Sequence, residues 1–124
     1  MYTIIAYVNK REKDAIINKS QKVKYAAALE KLIREDTILV SICAVNSETG
    51  LKAPLKTIRQ IINKKNKKTI FHSDMTQALG KIKVNLSDVD LASFSSHKIY
   101  APKGIGMLYK KNTIEIEPDR KSVV

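Results

Sequence analysis

The apolar run Ile38-Leu39-Val40-Ser41-Ile42-Cys43-Ala44-Val45 limits the possible folds more than any other stretch. It is too short to be a helix of ordinary length and too continuous for a half-solvated strand. Its length and β-branched content fit a strand covered on both faces, the habit of parallel sheets. Parallel strands need crossovers, and helix patterns stand on either side of the run. Ala26, Leu29, Leu32 and Ile33 recur at helical spacing, predicting a helix from Val23 to Arg34 that ends at Asp36 and Thr37. Leu55, Ile58, Ile61 and Ile62 give a second apolar stripe after Pro54, which is tolerated at a first helical position.

The remaining segments extend the same order. Tyr2 to Val8 is β-rich, and Lys10 to Lys24 is polar and expected to be loop with a frayed helix start. Thr69 to His72 and Leu91 to Ser95 read as strands, Ser96 to Lys103 as a loop, and Gly106 to Tyr109 as a last strand. A helix is expected to begin at Met75, with Asp74 as its cap. Alternating strands and helices with short connections define an α/β chain, in which ligands gather beyond the carboxyl ends of the strands. Asp74 and Lys98 both fall at such ends.

The composition removes several function classes. With 124 residues and 44% hydrophobic residues, the chain has enough apolar surface for a packed core. A single cysteine, Cys43, excludes an internal disulfide, and no secretion-type N-terminal pattern is present, which predicts a cytoplasmic protein. No apolar run is long enough to span a bilayer. The net charge of +11 raises the possibility of nucleic acid as a partner. Its densest cluster, Asn63-Lys64-Lys65-Asn66-Lys67-Lys68, lies where a helix should end and has no interleaved aromatics for base stacking. Nucleic acid is therefore not expected to be the main partner.

Two segments carry candidate chemistry. Phe71-His72-Ser73-Asp74-Met75-Thr76-Gln77 and Ser93-Phe94-Ser95-Ser96-His97-Lys98-Ile99-Tyr100 together hold the parts of a pyridoxal 5'-phosphate pocket. These are a lysine able to form an imine with the cofactor aldehyde, a carboxylate able to keep the pyridine nitrogen protonated, and hydroxyl and imidazole donors for a phosphate. Each has a plainer explanation alone: a solvated lysine, a helix-capping aspartate, a satisfied strand histidine, ordinary loop serines. Their order and spacing carry the signal.

The chain resembles the large domain of a cysteine desulfurase of the class V aminotransferase family, which uses pyridoxal phosphate. The matching signatures are Asp36 to Ile42, Asn46-Ser47-Glu48-Thr49-Gly50, His72 to Lys81, and Ser93 to Tyr100 followed by Pro102-Lys103-Gly104-Ile105-Gly106. The resemblance implies a partial αβα three-layer sandwich with a mainly parallel sheet over residues 1–118. It implies Lys98 as the catalytic lysine holding the cofactor, Asp74 on the pyridinium nitrogen, Gln77 on the phenolic oxygen, and Ser95 and His97 on the phosphate. It also implies L-cysteine as substrate, a homodimer, and a sulfur-acceptor scaffold protein, in iron–sulfur cluster assembly or tRNA thiolation.

There are departures. Ser47 stands where the family usually has an asparagine that contacts the cofactor, and Ala101 where glycine is usual. Cys43, inside an apolar strand, is expected to be a buried small hydrophobe rather than a persulfide cysteine. Residues 119–124, Asp119-Arg120-Lys121-Ser122-Val123-Val124, leave the pattern abruptly and are read as a sequencing artefact rather than protein. The upstream phosphate turn and stacking histidine, and the downstream cysteine loop and substrate-binding arginine, are not found. The chain is therefore expected to be a desulfurase fragment without activity of its own. The alternative is a short, catalytically dead protein that keeps the fold as an interaction module.

Overall fold

The computed structural model describes residues 3–7, 19–48 and 50–117. Residues 119–124, and the part of the polar stretch before Lys19, lie outside them. A five-stranded sheet runs in the order β1 (Thr3–Tyr7), β2 (Thr37–Cys43), β3 (Ile70–Asp74), β4 (Leu91–Ser95), β5 (Gly106–Lys110). The first three pairings are parallel, and β4–β5 is antiparallel. Helix α1 (Lys19–Leu32) connects β1 to β2, and α2 (Leu55–Lys65) connects β2 to β3. This is the expected α/β architecture with a mainly parallel sheet, and the described residues supply the sheet and one helical layer.

Strand alternation explains which face the helices cover. Val40 and Ile42 on β2, Phe71 and Ser73 on β3, and Ala92 and Phe94 on β4 are buried. They form one core with Leu29 and Ile33 from the first helical segment and Ile58 and Ile62 from α2. The intervening residues point to the other face, as the two-residue strand period requires. That face is half-open. The expectation that β2 is covered on both sides is therefore corrected: on that face Leu39 and Ser41 are half-buried and Cys43 is exposed rather than buried. An apolar run marks strand length reliably, but whether both faces are covered depends on what lies over them.

Three smaller differences have local causes. Helix α1 begins at Lys19, earlier than the apolar stripe shows, because straight-chain residues such as Lys19, Gln21 and Lys22 favour helix without marking a face. Leu32, expected in its stripe, is 50% exposed. After β3 the chain makes one tight turn instead of a helix: Leu79 N–H reaches the Met75 carbonyl at 3.0 Å, and Gly80 then turns left-handed at φ 75°. A left-handed glycine ends a helical turn by exposing its last carbonyls to other partners. No helix among the described residues is long and apolar enough to cross a membrane.

A carboxylate clasp holds the amino-terminal edge of β3 and β4. Asp90 Oδ2 accepts the Phe71 N–H at 2.8 Å and the Arg59 Nη2 of α2 at 2.6 Å, while Lys111 Nζ lies 3.4 Å from Oδ1. The Arg59 guanidinium also stacks over the Phe71 ring at 5.3 Å. Burial alone would raise the Asp90 pKa. The Phe71 amide, Arg59 and Lys111 together outweigh it and hold the carboxyl below its ordinary range.

Asp90→Ala is expected to cost about 2–3 kcal/mol, since it removes several charge-assisted hydrogen bonds from a site 14% exposed. A carboxyl whose pKa is lower folded than unfolded stabilises fully above the unfolded value near pH 4 and loses that contribution as pH falls through the folded one. Urea midpoints of wild type and Asp90→Ala should therefore converge in acid. A gap that stays constant down the acid titration would contradict the clasp.

Candidate functional site

The predicted site residues gather at the carboxyl edge of β2, β3 and β4. Parallel pairing brings these three ends together, with Cys43 opposite Asp74 and Asp74 opposite Ser93. Beyond β2 the chain turns back, with Asn46 holding Glu48 and Gly50. Asn46 Oδ1 accepts the Glu48 N–H at 2.9 Å, and the Asn46 carbonyl accepts the Gly50 N–H at 2.9 Å. Ser47 is exposed in that turn.

Asp74 is the last residue of β3 rather than a residue beyond it. Its Oδ1 accepts the Thr76 N–H at 3.0 Å, starting the turn that carries Gln77. Gln77 is half-buried, and its Oε1 accepts Lys81 Nζ at 2.8 Å. Met75, between them, is buried and donates its N–H to the Ser93 carbonyl at 2.9 Å. The turn is thus sewn to the end of β4.

Past β4, Ser96–Ile99 form a single 3₁₀ turn that carries His97 and Lys98, both exposed. Ser95 Oγ and His97 Nδ1 lie 2.5 Å apart. This hydrogen bond leaves Nε2 as the ring's other polar atom. Ser96 Oγ donates to the Pro102 carbonyl, and the Ser96 N–H to the Ile105 carbonyl at 3.1 Å. The loop does not need glycine at Ala101, because Tyr100 takes the left-handed conformation at φ 61° instead. For a residue with a Cβ this costs about 1–2 kcal/mol.

The open face holds a hydrogen-bonded row that the sequence reading missed. His72 shares the face of Asp74. Its Nδ1 lies 2.7 Å from Ser41 Oγ and its Nε2 3.0 Å from Ser93 Oγ, so one imidazole spans three strands. The parity of Ser41, His72 and Ser93 within their strands was the available signal. Burial lowers the His72 pKa, with the Asp74 charge a smaller cause acting in the opposite sense. The Cys43 thiol is raised, by desolvation first and by Asp74 second. Although exposed, it is poorly disposed to ionise. No group of three or more metal-ligating side chains is found among the described residues.

The donor set fits pyridoxal phosphate in kind. Asp74 supplies a carboxylate with one oxygen occupied by backbone, Ser95 and His97 supply a paired hydroxyl and imidazole, and Lys98 supplies an amine in the adjoining turn. Carboxylate and phosphate-type donors sit on neighbouring strands, as a ligand with a cationic ring nitrogen and an anionic tail requires.

Comparison with known proteins gives a consistent picture. Residues 8–118 match the Aminotransferase class-V family. Over 95 residues the chain is 52% identical to cysteine desulfurase IscS of Glaesserella parasuis, covering 73% of this chain and 23% of that protein. It is 45% identical over 104 residues to cysteine desulfurase IscS of Rickettsia prowazekii, covering 81% and 25%. A solved NifS-like protein superposes with a TM-score of 0.76 at 36% identity, over 94% of this chain and 37% of that one. SspA, solved in complex with cysteine, gives a TM-score of 0.65 at 36% identity, over 70% and 25%. The chain spans a quarter or less of the length of these curated relatives.

Since burial and Asp74 act on His72 in opposite senses, Asp74→Asn should move the His72 midpoint further below the ordinary value of about 6.5. Titration of the ring protons by NMR measures it. An upward movement would show that Asp74 does not face this imidazole.

Proposed function

The chain belongs to the class-V aminotransferase family, and from that premise we propose that its carboxyl edge is the pyridoxal-phosphate-binding portion of a cysteine desulfurase. What carries the reading is a juxtaposition. Asp74 ends one parallel strand, and Ser95, His97 and Lys98 follow the end of the next. Identities of 45–52% to cysteine desulfurases support the assignment of substrate class.

When bound, pyridoxal phosphate supplies an electron-accepting ring that stabilises negative charge next to the substrate's amino group. Asp74 would hold the ring nitrogen protonated, its Oδ1 anchored by the Thr76 N–H so that the carboxylate cannot swing away. Ser95 and His97 would bind the phosphate, with the Ser95 contact at Nδ1 orienting the ring and leaving Nε2 to face the ligand. Gln77, whose Oε1 accepts Lys81 Nζ, would donate its amide N–H to the phenolic oxygen, and Ser47 would lie at the rim from the β2 turn. Lys98 would hold the aldehyde carbon and move the substrate's α-proton.

The proposed overall reaction takes sulfur from L-cysteine, leaves alanine, and passes the sulfur to an enzyme cysteine thiolate, which becomes the persulfide. The persulfide would supply an acceptor scaffold protein for iron–sulfur assembly or tRNA thiolation, and the working enzyme would be a homodimer in the cytoplasm. Cys43, the single cysteine of the sequence, does not suit the acceptor role, since its thiol resists ionisation.

Adding pyridoxal phosphate should produce an imine absorbance that Lys98→Ala abolishes and Asp74→Ala weakens. The chain by itself should release no sulfide from L-cysteine, because positioning groups beyond this edge set the turnover. An imine band that persists in Lys98→Ala would remove the reading. Cofactor-dependent sulfide release lost in Lys98→Ala would confirm the site and refute the expectation of inactivity.

A further inference from the structure

Gly80 stands at the meeting point of the two turns that carry the proposed cofactor ligands. One turn follows β3 and bears Asp74 and Gln77. The other is the 3₁₀ turn that bears Lys98. At Gly80 the backbone is left-handed, with φ 75°, and a Cβ built there would sit 3.3 Å from Ile99 Cγ2. That is closer than ordinary van der Waals contact. Gly50 and Gly104 are also left-handed, but a Cβ on either would meet nothing within 4 Å. The conformational requirement is thus shared among three glycines, whereas the close approach belongs to Gly80 and lies against the residue following Lys98.

Two features make this contact directional. Ile99 is β-branched, so Cγ2 sits on a side chain with few alternative rotamers and, although 37% exposed, gives way less readily than a long flexible one would. The next residue, Tyr100, is left-handed as well, so the backbone on the far side of Ile99 is already constrained. A bulkier residue at position 80 would therefore shift the 3₁₀ turn rather than be absorbed by it.

We propose that Gly80 is a positioning residue that sets the approach of the Lys98 turn to the Asp74–Gln77 turn through its bare contact with Ile99. The inference rests on the assignment of Lys98 above. Displacement by a few tenths of an ångström leaves the fold intact but moves the amine relative to a ring held by Asp74, and reactions of this kind are steeply sensitive to placement.

The test reads which lysine reacts and how fast. The chain is incubated with pyridoxal phosphate, reduced with borohydride, and digested so that peptide mass identifies the modified lysine. Gly80→Ala should trap Lys98 about fivefold more slowly than wild type. Ile99→Leu removes the β-branch at nearly constant volume, so in the Gly80→Ala background it should restore the rate to within about twofold of Ile99→Leu alone. Amide hydrogen exchange over residues 96–99, measured without cofactor, should rise in Gly80→Ala and return in the double variant. Should Gly80→Ala not fold, Gly80→Asn replaces it, since asparagine tolerates the left-handed region yet carries a Cβ.

Trapping on Lys98 at the wild-type rate in Gly80→Ala overturns the inference and leaves the site assignment standing. So does a double variant as slow as Gly80→Ala, which would assign the effect to backbone strain alone. Trapping of wild type on lysines other than Lys98 overturns the site assignment, and the inference with it.

Discussion

Asp90 is the interaction on which the carboxyl edge depends, although it lies at the opposite end of the strands. Its carboxylate takes the Phe71 amide and the Arg59 guanidinium, its N–H reaches the Phe71 carbonyl at 2.8 Å, and its carbonyl takes the Lys111 N–H at 2.9 Å. The amino-terminal ends of β3 and β4, the exit of β5 and the middle of α2 are thereby tied to one residue. Register is then decided, because a parallel pair fixed at one end has no freedom to slip at the other. A slip of one residue on β3 would send Asp74 into the core and Ser73 to the open face. The clasp therefore determines where the carboxylate proposed to meet the pyridinium ring comes out.

The two faces of the sheet divide the work. The helix side is apolar and closed, and the buried Ser73 hydroxyl on it is satisfied by the Ile42 carbonyl at 2.8 Å. The open side carries Ser41, His72, Asp74 and Ser93, linked by hydrogen bonds or by register. Keeping His72 neutral matters there. A neighbouring imidazolium would satisfy Asp74 electrostatically and weaken the hold on a protonated ring proposed for it. Two serine hydroxyls can instead satisfy a neutral imidazole, one donating and one accepting.

Much of this was legible in the residues themselves. The Ile38 to Val45 run, the stripe Leu55, Ile58, Ile61 and Ile62, and the short segments Thr69 to His72 and Leu91 to Ser95 all became the kinds of element they indicated, because apolar period and turn residues act locally. Asn66 also behaves as its place at a helix end suggests, donating to the carbonyls of Glu35 and Thr37. What could not be read depended on distant parts of the chain. Cys43 looks buried from its neighbours in sequence, and only the sheet's open face exposes it. The turn after Asp74 looks helical until Gly80 takes its left-handed conformation against Ile99. The His72 bridge needs the relative registers of three strands, which no local pattern contains.

The antiparallel pairing of β4 with β5 has a consequence for Lys98. Because Ser95 pairs with Gly106, the segment between them is a loop closed at its base, and the Ser96–Ile105 and Ala101–Ser96 backbone bonds shorten it further. A lysine on a crossover connection would have a long tether and a wide range of positions. Here the closure entropy of a short loop has already been lost when the hairpin forms. Little backbone ordering therefore remains to oppose the aldehyde capture proposed for Lys98, since the path of the turn is decided during folding rather than at each encounter with a ligand.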